Sequence, residues 1–125
     1  MRCSEGSGQR RWRAVFYTTE TGRCPALEAI RALPKADRVE IGQTLQLVQE
    51  EGPEVGRPFT EPITGAVSAI RVRVGRTRWR IFFFAHLGEE LVLLHIFVKK
   101  TRAMPRREIE IAERRRTDWL SREVR

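Results

Sequence analysis

Residues 71–80, RVRVGRTRWR, place five arginines in ten positions directly ahead of the apolar run IFFF. Guanidinium groups grip phosphate oxygens in bidentate fashion, so arginines at this density suit a polyanionic ligand. Gly75-Arg76 lies between two alternating runs, and glycine at the first central position fits a two-residue type II′ turn. That turn sets Arg73 opposite Arg78 and Arg71 opposite Arg80 on one face, with Val72 opposite Trp79 and Ile70 opposite Ile81 on the other. Like charges directly opposed destabilise a sheet. At ~7 Å separation the repulsion is about 0.6 kcal/mol in water and several-fold more where solvent is partly excluded. A phosphate held between the pairs removes that penalty. The competing reading is that the arginine stems lie over a solvated face and keep an edge soluble.

A second set of chemistry-bearing residues follows. The run LVLLHIFV ends in Lys99-Lys100, and alternation puts His95, Phe97 and Lys99 on one side of the strand. A four-residue HLGE turn would make that the Arg80 side. His95 is a candidate general acid or base near neutral pH, or else a hydrogen-bonded core residue; His86 reads as a loop residue. Lys99, Lys100 and Arg102 sit where a strand opens into a loop, a common place for functional groups. Arg76 and Arg78 in the hairpin, and Arg106 and Arg107 at the start of a last helix, are candidates for further phosphate contacts.

Bulk composition points the same way. Twenty-four Lys and Arg against sixteen Asp and Glu give a net charge of +8 over 125 residues, which suggests a polyanionic partner. Cys3 and Cys24 form neither a disulfide framework nor a zinc motif, and no triad, P-loop, paired carboxylates or His/Cys cluster is present. No metal or cofactor is expected. With no signal peptide and no stretch of about 18 apolar residues, the expected location is the cytoplasm, away from membranes.

These residues need a scaffold, and the sequence outlines an α+β one. Residues 1–10 are Gly/Ser-rich and polar and read as a disordered tail, 11–120 as one domain, and 121–125 as a second tail. RWRAVFYTT predicts an N-terminal strand over about 11–18. Pro25, with Leu27, Ile30 and Leu33, predicts a short helix ending at Pro34, and Val39, Ile41, Leu45 and Val48 predict a longer one from Lys35 to Glu51. Together they form a two-helix hairpin. GPEVGRPFTEPITG, with three prolines, reads as an irregular connection. An antiparallel three-strand meander over about 67–74, 77–85 and 91–98 follows, then a C-terminal helix from Pro105 to about Leu120. Trp79, Ile81 and Phe83 should face helices, with Phe82 and Phe84 on the arginine face as core or as a stacking surface.

With these pieces in place, the chain resembles the phage-derived branch of the RelE/HigB toxin superfamily over about residues 12–118. The segments EEGPEVGRP, IRVRVGRTRWRIFFF and LLHIFVKKTRAMPRREIEIA carry the likeness, and FVKKT followed by P-x-x-E-I is its most specific part. The resemblance implies a small RelE-like fold whose open sheet face binds RNA. It further implies the toxin of a type II toxin–antitoxin module, a metal-independent endoribonuclease that cuts mRNA, free or on the ribosome, and is neutralised by a helix-turn-helix antitoxin. By the same resemblance Arg71, Arg73, Arg80, Lys99 and Lys100 fall on catalytic and phosphate-binding positions. The sequence departs from the pattern at Ser68 and Ala69, which replace Trp and Glu, and at Phe83, which replaces Tyr; the chain's one tyrosine is Tyr17. The proton acceptor stays open among Lys99, Lys100, His95 and a group supplied by the ribosome. Two alternatives to the toxin are a non-catalytic nucleic-acid-binding relative and a protein-binding phage or prophage component.

Overall fold

The computed structural model describes residues 12–123. They form β1 (Arg13–Phe16), α1 (Pro25–Arg31), α2 (Lys35–Glu51), β2 (Thr60–Thr64), β3 (Val67–Val74), β4 (Thr77–His86), β5 (Glu90–Val98) and α3 (Arg106–Glu123). The five strands make one sheet in the order β1-β5-β4-β3-β2, antiparallel except for the parallel pair of β1 with β5. This is the expected α+β scaffold with one strand more than the sequence suggested.

The added strand lies inside the connection that read as irregular. TEPIT pairs with β3, Thr60 opposite Ile70 and Glu61 opposite Ala69, and a register shift follows Pro62. A proline is tolerated there because β2 is an edge strand, where a missing N–H costs no ladder bond on the open side. Other boundaries moved as well. β1 is shorter than 11–18, and α3 runs past Leu120 to Glu123, so residues 121–123 belong to the helix. The remainder of the two expected tails lies outside the described residues.

The hairpin has the expected register: Val74 opposes Thr77, Arg73 opposes Arg78, Val72 opposes Trp79 and Arg71 opposes Arg80. Gly75 supplies the positive φ of +60° that the first turn position requires. In a two-residue hairpin the closing pair exchanges both hydrogen bonds, so alternate pairs do not. Both arginine pairs therefore fall at the closer, non-hydrogen-bonded spacing of about 4.5 Å between Cα atoms.

The next connection differs from expectation in a way that matters. His86 pairs with Glu90 at the end of β4, so the turn has three residues, Leu87 to Glu89, rather than four. On its own this would slip the register by one and turn His95 to the opposite face. A bulge at Leu94 inserts one residue between the partners of Phe83 and Phe82 and restores the alternation beyond it. Phe82 then opposes His95 and Arg80 opposes Phe97. The bulged Leu94 carbonyl accepts a hydrogen bond from Arg115 Nη1 of α3 at 2.8 Å.

Each sheet face has its own core. Ile70, Val72, Ile81, Phe83, Leu91 and Leu93 pack against α1 and α2 through Ile30, Ile41 and Val48. Val39 does not join this stripe; at 45% exposure it lies on the far side of the helix, since two residues before Ile41 is about 200° around the axis. On the other face Phe82, Phe84, Val92, Leu94 and Phe97 are buried with Ala112, and Ile109, Trp119 and Leu120 of α3 pack against them. Phe82 and Phe84 are thus core. Gln49, at the end of α2, accepts the Ala14 N–H on its Oε1 at 2.8 Å and so occupies the outer edge of β1.

Polar contacts at both ends pin α3. Near its C-terminus Tyr17 Oη donates to Asp118 Oδ2 at 2.6 Å, and Arg122 binds the same oxygen and the Thr18 carbonyl. Near its N-terminus His95 Nε2 and Glu108 Oε1 lie 2.5 Å apart, with the imidazole stacked on Phe97. Burial lowers the His95 pKa from its ordinary 6.5, and the opposing pull of Glu108 does not reverse it.

Tyr17→Phe should lower stability by about 1 kcal/mol, the net worth of one hydrogen bond, measured by urea unfolding with other functions unaffected. For His95 the unfolded chain binds the proton more readily than the folded one, so stability is full above the unfolded pKa and falls as pH drops below ~6.5. His95→Gln should flatten the difference in unfolding midpoint between pH 7.5 and pH 5.5; an unchanged difference would assign that acid sensitivity to other groups.

Candidate nucleic-acid interface

Because α3 covers only part of its sheet face, the rest is left to the charged residues of the hairpin. A cleft of about 390 Å³ opens there between β2, the β3–β4 hairpin and the start of α3. Arg71, Arg78, Arg80, Lys99 and Arg102 line it, together with Arg57 and Glu61. The sequence singled out five of these cations; Arg57 and Glu61 it missed, because both lie in and beside the strand that read as irregular.

Glu61 sits at the centre. Pairing opposite Ala69 puts its side chain on the arginine face one step from Arg71, and its carboxylate meets three guanidinium groups. Arg57 Nη2 donates to Oε1 at 2.9 Å, while Arg80 Nε and Arg71 Nε stand 3.5 and 3.8 Å from Oε2. The last two are ion pairs without hydrogen-bond alignment, so these Nε donors lack a bonded partner among the described residues. Arg80 also donates from Nη1 to the Trp79 carbonyl at 3.0 Å, and Arg71 from Nη1 to the Pro58 carbonyl at 3.2 Å. Arg80 is 5% exposed. Burial, then Arg71, lower its pKa, yet an arginine starts so high that it keeps its charge.

Lys99 is the other surprise. Read from sequence as the first residue of a loop, it is 9% exposed, and its Nζ donates to the Thr101 carbonyl at 2.5 Å and the Arg102 carbonyl at 2.8 Å. The chain after β5 curls back over the ammonium. An ammonium carries three donors, so one remains for the cleft. Burial first, then Arg78 and Arg80, lower the Lys99 pKa from its ordinary 10.5.

The other candidates are dispersed. Arg73 lines a second cleft, of about 340 Å³, that shares Arg71, Arg78 and Arg80 with the first and is bounded by Phe59 and by Glu40 and Thr44 of α2. Lys100, Arg76, Arg106 and Arg107 are exposed and line neither cleft, although Arg106 and Arg107 stand at the start of α3. His95 lies under α3, bound to Glu108 and outside both linings. His86, at the end of β4, pairs with Glu123 at 3.0 Å. Tyr17 is committed to Asp118 on the far part of α3, and burial raises its pKa, so a tyrosine base is ruled out at this cleft.

Chemically the larger cleft offers several cationic donors around a single carboxylate, an arrangement suited to a phosphodiester. Among the described residues no group of three or more His, Cys, Asp or Glu could hold a metal ion, and no helix is long and apolar enough to cross a membrane.

Comparison with curated proteins finds no match. A family model does match: Phage derived protein Gp49-like (DUF891) aligns with residues 28–117. That span is well over half of the chain, and it includes every residue lining the two clefts. The chain therefore belongs to the Gp49-like family of phage-derived proteins.

Proposed function

We propose that the protein is the toxin of a type II toxin–antitoxin module, acting in the cytoplasm as a metal-independent endoribonuclease on mRNA. One observation carries the reading: Arg71, Arg78, Arg80, Lys99 and Arg102, brought from two strands and a folded-back loop, converge on one cleft around Glu61. Membership of the Gp49-like family supports it, as does the likeness to RelE/HigB toxins. A helix-turn-helix antitoxin covering the basic face is the partner this reading implies.

The cleavage follows from ordinary phosphodiester chemistry. The ribose 2′-oxygen attacks the adjacent phosphorus, the P–O5′ bond breaks, and a cyclic phosphate and a free 5′-hydroxyl remain. Arg71 and Arg80 hold the non-bridging oxygens, where charge grows in the transition state; a preorganised donor of this kind is worth about 3 to 4 kcal/mol. Glu61 takes the 2′-hydroxyl proton. Its place opposite Ala69 lets β2 supply the carboxylate that the RelE-like pattern carries on the following strand. Lys99, its pKa lowered by burial and its third N–H available, gives a proton to the departing 5′-oxygen.

Induced expression in a bacterium should arrest growth and create new mRNA 5′ ends, while Arg71→Ala should do neither; Glu61→Gln, which also removes the charge facing Arg80, should do neither once circular dichroism shows it folded. Arg80 is too buried for a clean alanine test, so Arg80→Lys, which keeps the charge but not the fork, is the better variant and should cut activity by about a hundredfold. Healthy growth with intact mRNA from soluble wild type would move the assignment to a non-catalytic nucleic-acid-binding protein. The pH profile probes Lys99. An acid with a lowered pKa loses its proton early, so the rate should fall on the alkaline side below pH 10.5, and Lys99→Arg should slow the reaction and abolish that fall.

A further inference from the structure

The second cleft, of about 340 Å³, adjoins the cationic one but differs in chemistry. Its apolar surface comes from Phe59 and Val72, both packed on the core beneath. The arginines shared with the first cleft stand on one side. On the other, Glu40 and Thr44 lie one helical turn apart on α2 and present a carboxylate and a hydroxyl, both half-buried. Neither side chain has a hydrogen bond or ion pair among the described residues. Arg71 and Arg80, which this cleft shares with the first, are met by Glu61 rather than by Glu40.

From these features we infer that the second cleft is a nucleobase pocket selective for guanine beside the scissile phosphate. The inference rests on the ribonuclease reading and adds the base to it. Unstacked bases in single-stranded RNA are recognised by stacking on aromatic rings and by hydrogen bonds to their Watson–Crick edges. Phe59 offers the ring. A carboxylate only accepts, and guanine alone among the four bases presents two adjacent N–H donors, N1 and N2, on that edge. Adenine and cytosine would turn a ring-nitrogen acceptor toward Glu40 beside their single amino group, and uracil would present one N–H between two carbonyls. Acceptor against acceptor is repulsive, so the same carboxylate that selects guanine rejects the others. The Thr44 hydroxyl can then donate to guanine O6. A phosphate gripped by Arg71 and Arg80, which border both clefts, leaves its neighbouring base next to this pocket.

The test uses the full chain and short 2′-O-methyl oligouridylates, which cannot be cleaved, each with one central guanosine, inosine, adenosine or cytidine, and an all-uridine control. Fluorescence anisotropy should show guanosine binding about tenfold or more tighter than the rest, the usual worth of a good bidentate pair. Inosine, lacking the N2 amino group, should lose most of that preference. Glu40→Gln, folded by circular dichroism, should bind the guanosine oligomer no better than the uridine one. Equal binding of all the oligomers would overturn the guanine pocket while leaving the ribonuclease reading intact. A guanosine preference that survives Glu40→Gln would overturn the role of Glu40. Binding of none would overturn both the pocket and the reading on which it rests.

Discussion

The arrangement of this molecule depends on how it tolerates arginine directly opposite arginine. Arg71 and Arg80 occupy a closely spaced cross-strand pair in the interior of the sheet, with Arg73 and Arg78 the next pair along that face. A buried guanidinium without a partner would cost several kcal/mol. The fold meets that demand with one carboxylate, Glu61, placed by an edge strand so that it reaches both Arg71 and Arg80 and is steadied by Arg57. The match is incomplete, because the Nε groups of Arg71 and Arg80 face the carboxylate without hydrogen-bonding it. The carboxylate thus offsets the two charges while leaving both Nε donors unbonded among the described residues.

α3 stops short of the cluster on that face, leaving a cleft whose walls bury Arg80 and Lys99. α3 packs on the core that holds Phe82, Phe84, Val92, Leu94 and Phe97, and its position is fixed at one end by Tyr17 and Asp118 and at the other by His95 and Glu108. The Leu94 bulge belongs to the same arrangement. Without it the short turn after β4 would send His95, Phe97 and Lys99 to the opposite face, removing both the His95–Glu108 contact and the ammonium beside the arginines. Arg115, by binding the bulged carbonyl, ties this register to the helix that depends on it. The histidine thus serves the site by anchoring the helix that borders it.

The legible parts of this structure were those governed by local periodicity. The hairpin register followed from Gly75-Arg76 and two alternating runs, and the helices from their apolar spacing and their Pro and Gly boundaries. The obscure parts depended on contacts distant in sequence. TEPIT contains Pro62 and sits in a stretch with three prolines and three glycines, so only its pairing with β3 marks it as a strand, and Glu61 was hidden with it. The bulge has no signature in LVLLHIFV, since an inserted leucine among leucines changes no pattern. Alternation put Lys99 on one side with His95 and Phe97, but it reached the arginine face through a shorter turn and a bulge, and nothing hinted that residues 101 and 102 would fold back and bury it.

The two clefts show why a single edge strand can govern the site. β2 begins at Thr60, opposite Ile70, and the hydrogen bond just before it, from Arg71 N–H to the Phe59 carbonyl, is the outermost backbone bond that this segment makes to β3. Had β2 begun earlier, alongside Arg73, its backbone would have filled the space between β3 and α2 where Phe59, Glu40 and Thr44 now border a cavity. Shortness is a common way for an edge strand to avoid pairing with other chains. Here the same shortness leaves the arginines accessible from both sides of the strand, with a carboxylate on each: Glu61 paired to the arginines, and Glu40 held apart from them on α2. Glu61 neutralises part of the cationic cluster, while Glu40, on α2, makes no ion pair with it among the described residues.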